Sequence, residues 1–214
     1  SYLRLILNEI FGPYNFQNEL IWVYSRMASK NMKTFNKTHQ NIYWYKKGAI
    51  ATFNVDDVRT EYAESSKNRA GYKKKGVGSG LLAEGSFCEL NEKGKFPDDW
   101  FSIPFERNTI YPTQKPEELL EKLIISLTPE PTVNTDIAVV ADFFCGGGTT
   151  PAIAQRLGRR WMACDQSRVA VAITADRVSR LAEEQGDIKG DRQGSLFAIP
   201  DFTIEHWGIC EIDK

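Results

Sequence analysis

The residues best suited to chemistry in this 214-residue chain form the run Asp142-Phe143-Phe144-Cys145-Gly146-Gly147-Gly148-Thr149-Thr150. Glycines placed where a strand turns into a helix let a ligand approach the main chain and leave the helix's first amides free to bind it. A second acid, Asp165, follows 19 residues after Gly146. At that spacing a carboxylate ending the next strand can accept both hydroxyls of a ribose. The pair points to an adenosine-containing cofactor. A dinucleotide fingerprint G-x-G-x-x-G counted from Gly146 would need Gly or Ala at position 151, where Pro151 stands. A P-loop would need Lys and then Ser or Thr after the glycines, and no Lys follows them. Neither nucleotide class fits.

The elements that must position this loop follow from periodicity. Ile137 to Phe144 is apolar except for Asp142 and of strand length, the pattern of a strand buried on both faces. Thr149 to Leu157 continues as a helix until Gly158, and Trp161 to Asp165 reads as a second buried strand. Ser167 then caps a helix running to about Glu183. Strand, glycine loop, helix, strand and helix make a βαβ unit of the Rossmann type, so the fold class is α/β. Upstream, Pro116 to Leu127 is helical, with Glu117 and Glu118 at the positive end of its dipole. Its Leu119, Leu120, Leu123, Ile124 and Leu127 share one face. In the first half, Tyr2 to Phe11 is a short amphipathic helix stopped by Gly12-Pro13. Glu19 to Ser25 and Gln40 to Lys46 are strands separated by a polar loop, and Thr52 to Phe96 is irregular.

The segment Tyr111-Pro112-Thr113-Gln114-Lys115-Pro116-Glu117, then an amphipathic helix, an apolar strand and Asp-x-Phe-x-Gly-x-Gly-Thr-Thr, narrows the field. This order resembles bacterial DNA amino-methyltransferases of the circularly permuted β type, found in restriction-modification systems. Their T-Q-K-P block precedes the S-adenosylmethionine loop. The resemblance implies methyl transfer from S-adenosylmethionine to the exocyclic amine of adenine (N6) or cytosine (N4) in double-stranded DNA. It also implies a Rossmann-like methyltransferase fold, here with an incomplete sheet. Carried over residue by residue, the cofactor-binding set is Thr113, Gln114, Lys115, Pro116, Asp142, Phe143, Phe144, Cys145, Gly146, Gly148, Thr149 and Asp165. Phe143 stands where Pro is usual in the family's loop. Leu7 to Gly12 with Glu19 to Trp22, His39 to Lys46, and Asp99 to Pro104 are similar to the family's flanking elements. Lys67 to Gly94 falls where the family carries variable target-recognition sequence, and Asp201 to Gly208 is similar to the start of a C-terminal extension in some members.

The family's catalytic loop, [DN]-P-P-[YFW], has no counterpart among nine prolines of which no two are adjacent. In that loop, oxygens accept hydrogen bonds from the target amine and localise its lone pair, while the aromatic stacks on the base. Gly12-Pro13-Tyr14-Asn15 is a partial match placed where the family has an ordinary turn. No catalytic residue is assigned; the permuted order implies a catalytic strand upstream of Ser1, and a longer protein is expected. The expected division is 1–50 for partial catalytic-half elements, 51–110 for a target-recognition insertion, 111–185 for the cofactor-binding region and 186–214 for a C-terminal extension.

A net charge of −1 averages two opposite parts. Leu20 to Ala83 holds 12 basic and 4 acidic residues, and no acid lies between Leu20 and Val55. Segregation of this kind suits a polyanion, since each neutralised phosphate releases counterions. Arg26, Lys30, Lys33, Lys37, Lys73, Lys74 and Lys75 are the expected DNA contacts. Base-modifying enzymes also need an aromatic for the extruded base. Trp22, Tyr24, Tyr43, Trp44 and Tyr45 interleave with the cations, although strand alternation turns about half of them into the core. Four scattered cysteines and two histidines suggest neither a metal site nor a disulfide framework. No apolar run approaches the roughly 18 residues of a membrane span, and Ser1 to Asn8 does not read as a signal peptide. A cytoplasmic location is therefore expected, with no membrane partner. A homodimer and a restriction subunit remain open as partners. Two other readings stay open: an RNA or small-molecule N-methyltransferase, and a non-catalytic module binding S-adenosylmethionine and DNA.

Overall fold

The computed structural model describes residues 2–27, 30–68, 90–107, 109–132, 137–188 and 202–205. In chain order the elements are α1 (Tyr2–Phe11), β1 (Phe16–Val23), β2 (His39–Tyr45), α2 (Glu64–Lys67), β3 (Trp100–Ser102), α3 (Glu117–Leu127), β4 (Val139–Asp142), α4 (Thr149–Arg156), β5 (Arg160–Ala163) and α5 (Arg168–Ile188). Short 3-10 turns at Pro13–Asn15 and Val55–Val58 complete the list.

Two small sheets share the strands. In the first, ordered β2-β1-β3, β1 runs antiparallel to β2 from Phe16↔Tyr45 to Val23↔His39 and parallel to β3 from Ile21↔Trp100 to Val23↔Ser102. In the second, β4 and β5 are parallel from Val139↔Arg160 to Asp142↔Ala163. Parallel neighbours need a crossover, which α4 supplies. The βαβ unit is therefore present, and among the described residues five strands stand where the sequence suggested four. The addition is β3, three residues long and too short to carry a period.

The expectation that both strands of the βαβ unit are buried fails. Along β4 and β5 every second residue is covered, by α4 and α3, while Val139 (56% exposed) and Met162 (54%) face outward. β4 thus exposes Val139 and Ala141 and half-buries Val140 and Asp142. On α1 the apolar stripe is open among the described residues: Leu3, Ile6 and Ile10 are each at least half exposed.

α3 joins the two sheets through two adjacent rows of its apolar face. Leu119, with Leu123 beside it, packs on Trp22, Tyr24 and Ile103 of the first sheet. Ile124 and Leu120 pack on Ile153, Ala154, Val140 and Trp161 of the βαβ unit. Residues four apart stack on one helix face, so a stripe wider than a single row serves two partners. Trp22 is 1% exposed, and its indole N–H donates to Ile103 O (2.8 Å). With Tyr24 and Phe105 it forms an aromatic cluster, so Trp22 of β1 and Tyr24 just beyond it belong to the core. The irregular stretch docks on the end of α3 through Asn54, whose side-chain amide donates to Ile125 O (2.8 Å) and Thr128 O (2.6 Å). Those are carbonyls a helix end leaves without internal partners.

Candidate cofactor site

The glycine loop is held by side chains from four directions. From inside the loop, Asp142 Oδ1 accepts the Phe144 N–H (3.0 Å) and Oδ2 accepts the Thr150 hydroxyl (2.6 Å). From β5, whose ladder continues past the strand as Cys164 N–H to Asp142 O and Cys145 N–H to Cys164 O, Asp165 arrives beside the loop. Its Oδ2 accepts the Gly146 N–H (2.9 Å) and its Oδ1 the Ser167 N–H (2.9 Å). Each oxygen takes one backbone donor, leaving lone pairs for a further donor such as a ribose hydroxyl.

From α5, Thr174 Oγ1 donates to Gly146 O (3.1 Å) and Arg177 donates to Gly147 O (3.1 Å) and Thr149 Oγ1 (3.2 Å). The same guanidinium pairs with Glu117 in the first turn of α3, and Arg156 holds the other Glu117 oxygen at 2.9 Å. From the segment before α3, the Tyr111 ring lies across the glycines. A Cβ on Gly147 would sit 2.7 Å from Tyr111 Cβ, and one on Gly148, where φ is +73°, would sit 2.7 Å from Thr174 Oγ1. Glycine is required at these two positions by packing, in addition to any ligand approach.

Gln114 comes to the same place. Its Nε2 donates to Glu106 Oε2, while Glu106 Oε1 accepts the Glu117 N–H (2.8 Å) and so caps α3 from a distance. Its Oε1 is buried without a hydrogen-bond partner among the described residues and lies 3.5 Å from the position a Gly147 Cβ would take. A buried amide oxygen left unpaired beside a glycine cradle, with a carboxylate in reserve at Asp165, is a donor-hungry arrangement that an adenosine carrying an amino-acid end fits.

Of the residues expected from sequence, the structure brings together Gln114, Asp142, Cys145, Gly146, Gly148, Thr149 and Asp165. Pro116 is buried at the start of α3, while Thr113 and Lys115 are exposed, with Lys115 Nζ donating to Thr113 O (3.4 Å). Phe143 (59% exposed) and Phe144 (90%) project from the loop. Burial pushes the Cys145 thiol above its ordinary pKa, with the nearby carboxylates of Asp142 and Asp165 adding to the effect and the Thr174 hydrogen bond opposing it. Glu106, Thr174 and Arg177 are not among the residues expected from sequence, and Tyr111 figures there only as the first residue of the segment that contains T-Q-K-P. For Thr174 a signal existed: it lies in the i, i+4 row Ala170-Thr174-Val178, and a hydroxyl among apolar residues facing inward calls for a partner.

At Gly12 to Asn15 the structure shows a turn, with Tyr14 96% exposed and the Asn15 amide donating to Phe11 O (2.6 Å). Arg26, Lys30, Lys33 and Lys37 are all exposed, and none pairs with an acid among the described residues. Tyr72, Lys73, Lys74 and Lys75 lie outside the described residues, as do Cys88, Cys210 and most of the 67–94 segment.

A glycine loop closing a parallel βαβ unit, with an acid just beyond the second strand, defines a Rossmann-like nucleoside-binding unit. The DNA methylase model for N6 and N4 enzymes matches residues 1–176, and the chain belongs to that family. Type II methyltransferase M.BglII of Bacillus subtilis is 28% identical over 176 residues, which is 80% of this chain and 44% of the relative. Type II methyltransferase M2.DpnII of Streptococcus pneumoniae is 40% identical over 94 residues, 42% of this chain and 33% of its own. The chain spans about half the length of the curated relatives it matches. Among solved structures, the M1.HpyAVI-SAM complex superposes with a TM-score of 0.51 at 20% identity, over 83% of this chain and 70% of that one. The PvuII cytosine-N4-specific DNA methyltransferase gives 0.53 at 16% identity, over 88% of this chain and 63% of that one. Both share the fold.

Proposed function

We propose that this chain is the cofactor-binding and DNA-facing part of a DNA amino-methyltransferase acting on adenine N6 or cytosine N4. The observation that carries the reading is convergence: Gln114 of the T-Q-K-P block, the three glycines and Asp165 meet at one loop, in the order typical of the permuted family. S-adenosylmethionine supplies, when bound, a methyl group on a positively charged sulfur. Asp165, steadied by the Gly146 and Ser167 amides, accepts the ribose hydroxyls, and Phe143 and Phe144 wall the mouth of the loop. Thr113, Gln114, Lys115 and Pro116 border the amino-acid end. Asp142, Cys145 and Thr149 keep the loop in shape from within. The acceptors that would activate the target amine are not among this chain's residues, so the methyl-transfer step is completed by others.

The partner is double-stranded DNA, met by Arg26, Lys30, Lys33 and Lys37 together with Lys73, Lys74 and Lys75, with residues 51–110 reading the target. The 111–185 segment is the cofactor unit. A cytoplasmic location belongs to the same proposal, because that is where bacterial DNA lies; no helix among the described residues is long and apolar enough to cross a membrane. A calorimetric titration of the full-length protein with S-adenosylmethionine, beside an Asp165→Ala variant, tests the reading. Saturable binding weakened roughly tenfold or more by the variant is expected, the scale of a lost hydrogen bond in a charged site. No binding by the folded protein overturns it. A second reading, a module that binds without catalysis, is favoured by the missing [DN]-P-P-[YFW] loop. Methyl transfer to duplex DNA, and not to RNA or small amines, separates the first reading from this one and from other N-methyltransferases.

A further inference from the structure

We propose that Glu106 is a positioning residue that fixes Gln114 as an acceptor for the α-ammonium group of the cofactor; the inference rests on the S-adenosylmethionine reading above. A glutamine amide has two faces, an oxygen that only accepts and an NH2 that only donates, and rotation about its last bond exchanges them. Glu106 removes that freedom. Its carboxylate only accepts, and both its oxygens are engaged: Oε1 by the Glu117 main-chain N–H at 2.8 Å and Oε2 by Gln114 Nε2. A turned-over Gln114 would set its own oxygen against the Glu106 carboxylate, two acceptors face to face with no proton between them. The NH2 group must therefore point to Glu106 and the oxygen to the glycine loop.

On that side Gln114 Oε1 is buried, without a hydrogen-bond partner among the described residues, and close against Gly147. A buried acceptor is satisfied only by a donor. Of the two charged groups on an amino-acid end, the ammonium donates and the carboxylate does not. The polarity of the site is thus written in a residue that never meets the ligand. Glu106 is anchored to the first turn of α3, so the start of the helix, the amide and the ligand's ammonium form one chain of donors and acceptors.

The test compares two ligands on the full-length protein: S-adenosylmethionine and its analogue with hydrogen in place of the α-amino group. Wild type is expected to lose roughly tenfold to a hundredfold in affinity on removal of the amino group, the range of a hydrogen bond to a charged group. In Glu106→Gln the new amide keeps its oxygen on the Glu117 N–H and turns its NH2 toward Gln114, which then flips. The ratio between the two ligands is expected to fall to within about threefold. An unchanged ratio in a folded Glu106→Gln protein overturns the proposal while leaving the cofactor reading intact, whereas failure of wild type to bind either ligand overturns both. Should Glu106→Gln not fold, Gln114→Met removes the acceptor without touching the α3 cap. A collapsed ratio there supports the proposal, and a preserved one sinks it.

Discussion

At the scale of single residues, the loop depends on groups that do not belong to it. Arg177 is the clearest case. Its guanidinium joins Gly147 O, Thr149 Oγ1 and Glu117, tying the glycine loop to the start of α3 across three elements. Arg177→Ala leaves Glu117 and two loop acceptors short of a donor, which should cost about 1–3 kcal/mol of stability and weaken cofactor binding together. Lys at 177 cannot span the three acceptors and should recover only part of either. Urea melts and cofactor titrations of the variants check this, and an unchanged affinity in Arg177→Ala would remove the residue from the site's support. The cysteines differ in the same local way. Cys145 is buried and its thiol is held above the ordinary value of 9.0, so the folded state favours the protonated form. Its contribution to stability is full below about pH 9 and erodes as pH rises further. Cys164 is exposed. A brief treatment with iodoacetamide followed by peptide mapping should find label at Cys164 and none at Cys145 until denaturant is added.

At the scale of elements, most of what positions the site was legible because it is periodic. α3, α4 and α5 follow from apolar spacing, and Ser167 was readable as a cap: its hydroxyl accepts the Ala170 N–H at 3.3 Å. The double-row stripe of α3 showed that the helix was buried but not that its rows serve different sheets, since the partners of Leu119 and Ile124 are set by tertiary contacts alone. Leu119→Ala, at 2% exposure, should therefore cost ~2–5 kcal/mol and loosen the β1 side first. Hydrogen exchange at Trp22 and Tyr24 should rise more than at Ile153. Equal loosening of both clusters would mean that α3 does not separate them. β3 is not readable as a strand because three residues hold no pattern, and its pairing with β1 is a long-range event. The burial of β4 was overread for a related reason. An apolar run reports what a strand can cover, and Val139 and Met162 show that covering also needs a neighbour. Within the site, the glycines and Asp165 stood out by type and spacing, whereas Glu106 and Arg177 carry charges indistinguishable in sequence from any solvated residue.

For the whole molecule, the separation of charge is the property that no single element shows. The loop from Arg26 to Lys37 and the glycine site belong to different sheets, so cofactor affinity and DNA affinity should respond to different changes. Arg26, Lys30, Lys33 and Lys37 are exposed and lack an acidic partner among the described residues, so their charge is available to a polyanion. If all four meet phosphates, binding of the full-length protein to duplex DNA should weaken steeply with salt, each contact contributing about −0.9 to the slope of log K against log salt concentration. Replacing all four by Gln should make that slope shallower by roughly 3 to 4 and lower affinity for every sequence alike, because phosphate contacts position without specifying. S-adenosylmethionine affinity should stay within about twofold of wild type, since none of the four touches the glycine loop. A slope unchanged in the quadruple variant would return these cations to an ordinary solvated surface. A fall confined to one target sequence would mean instead that they read bases, and that recognition begins on the β1 side of the molecule rather than in residues 51–110.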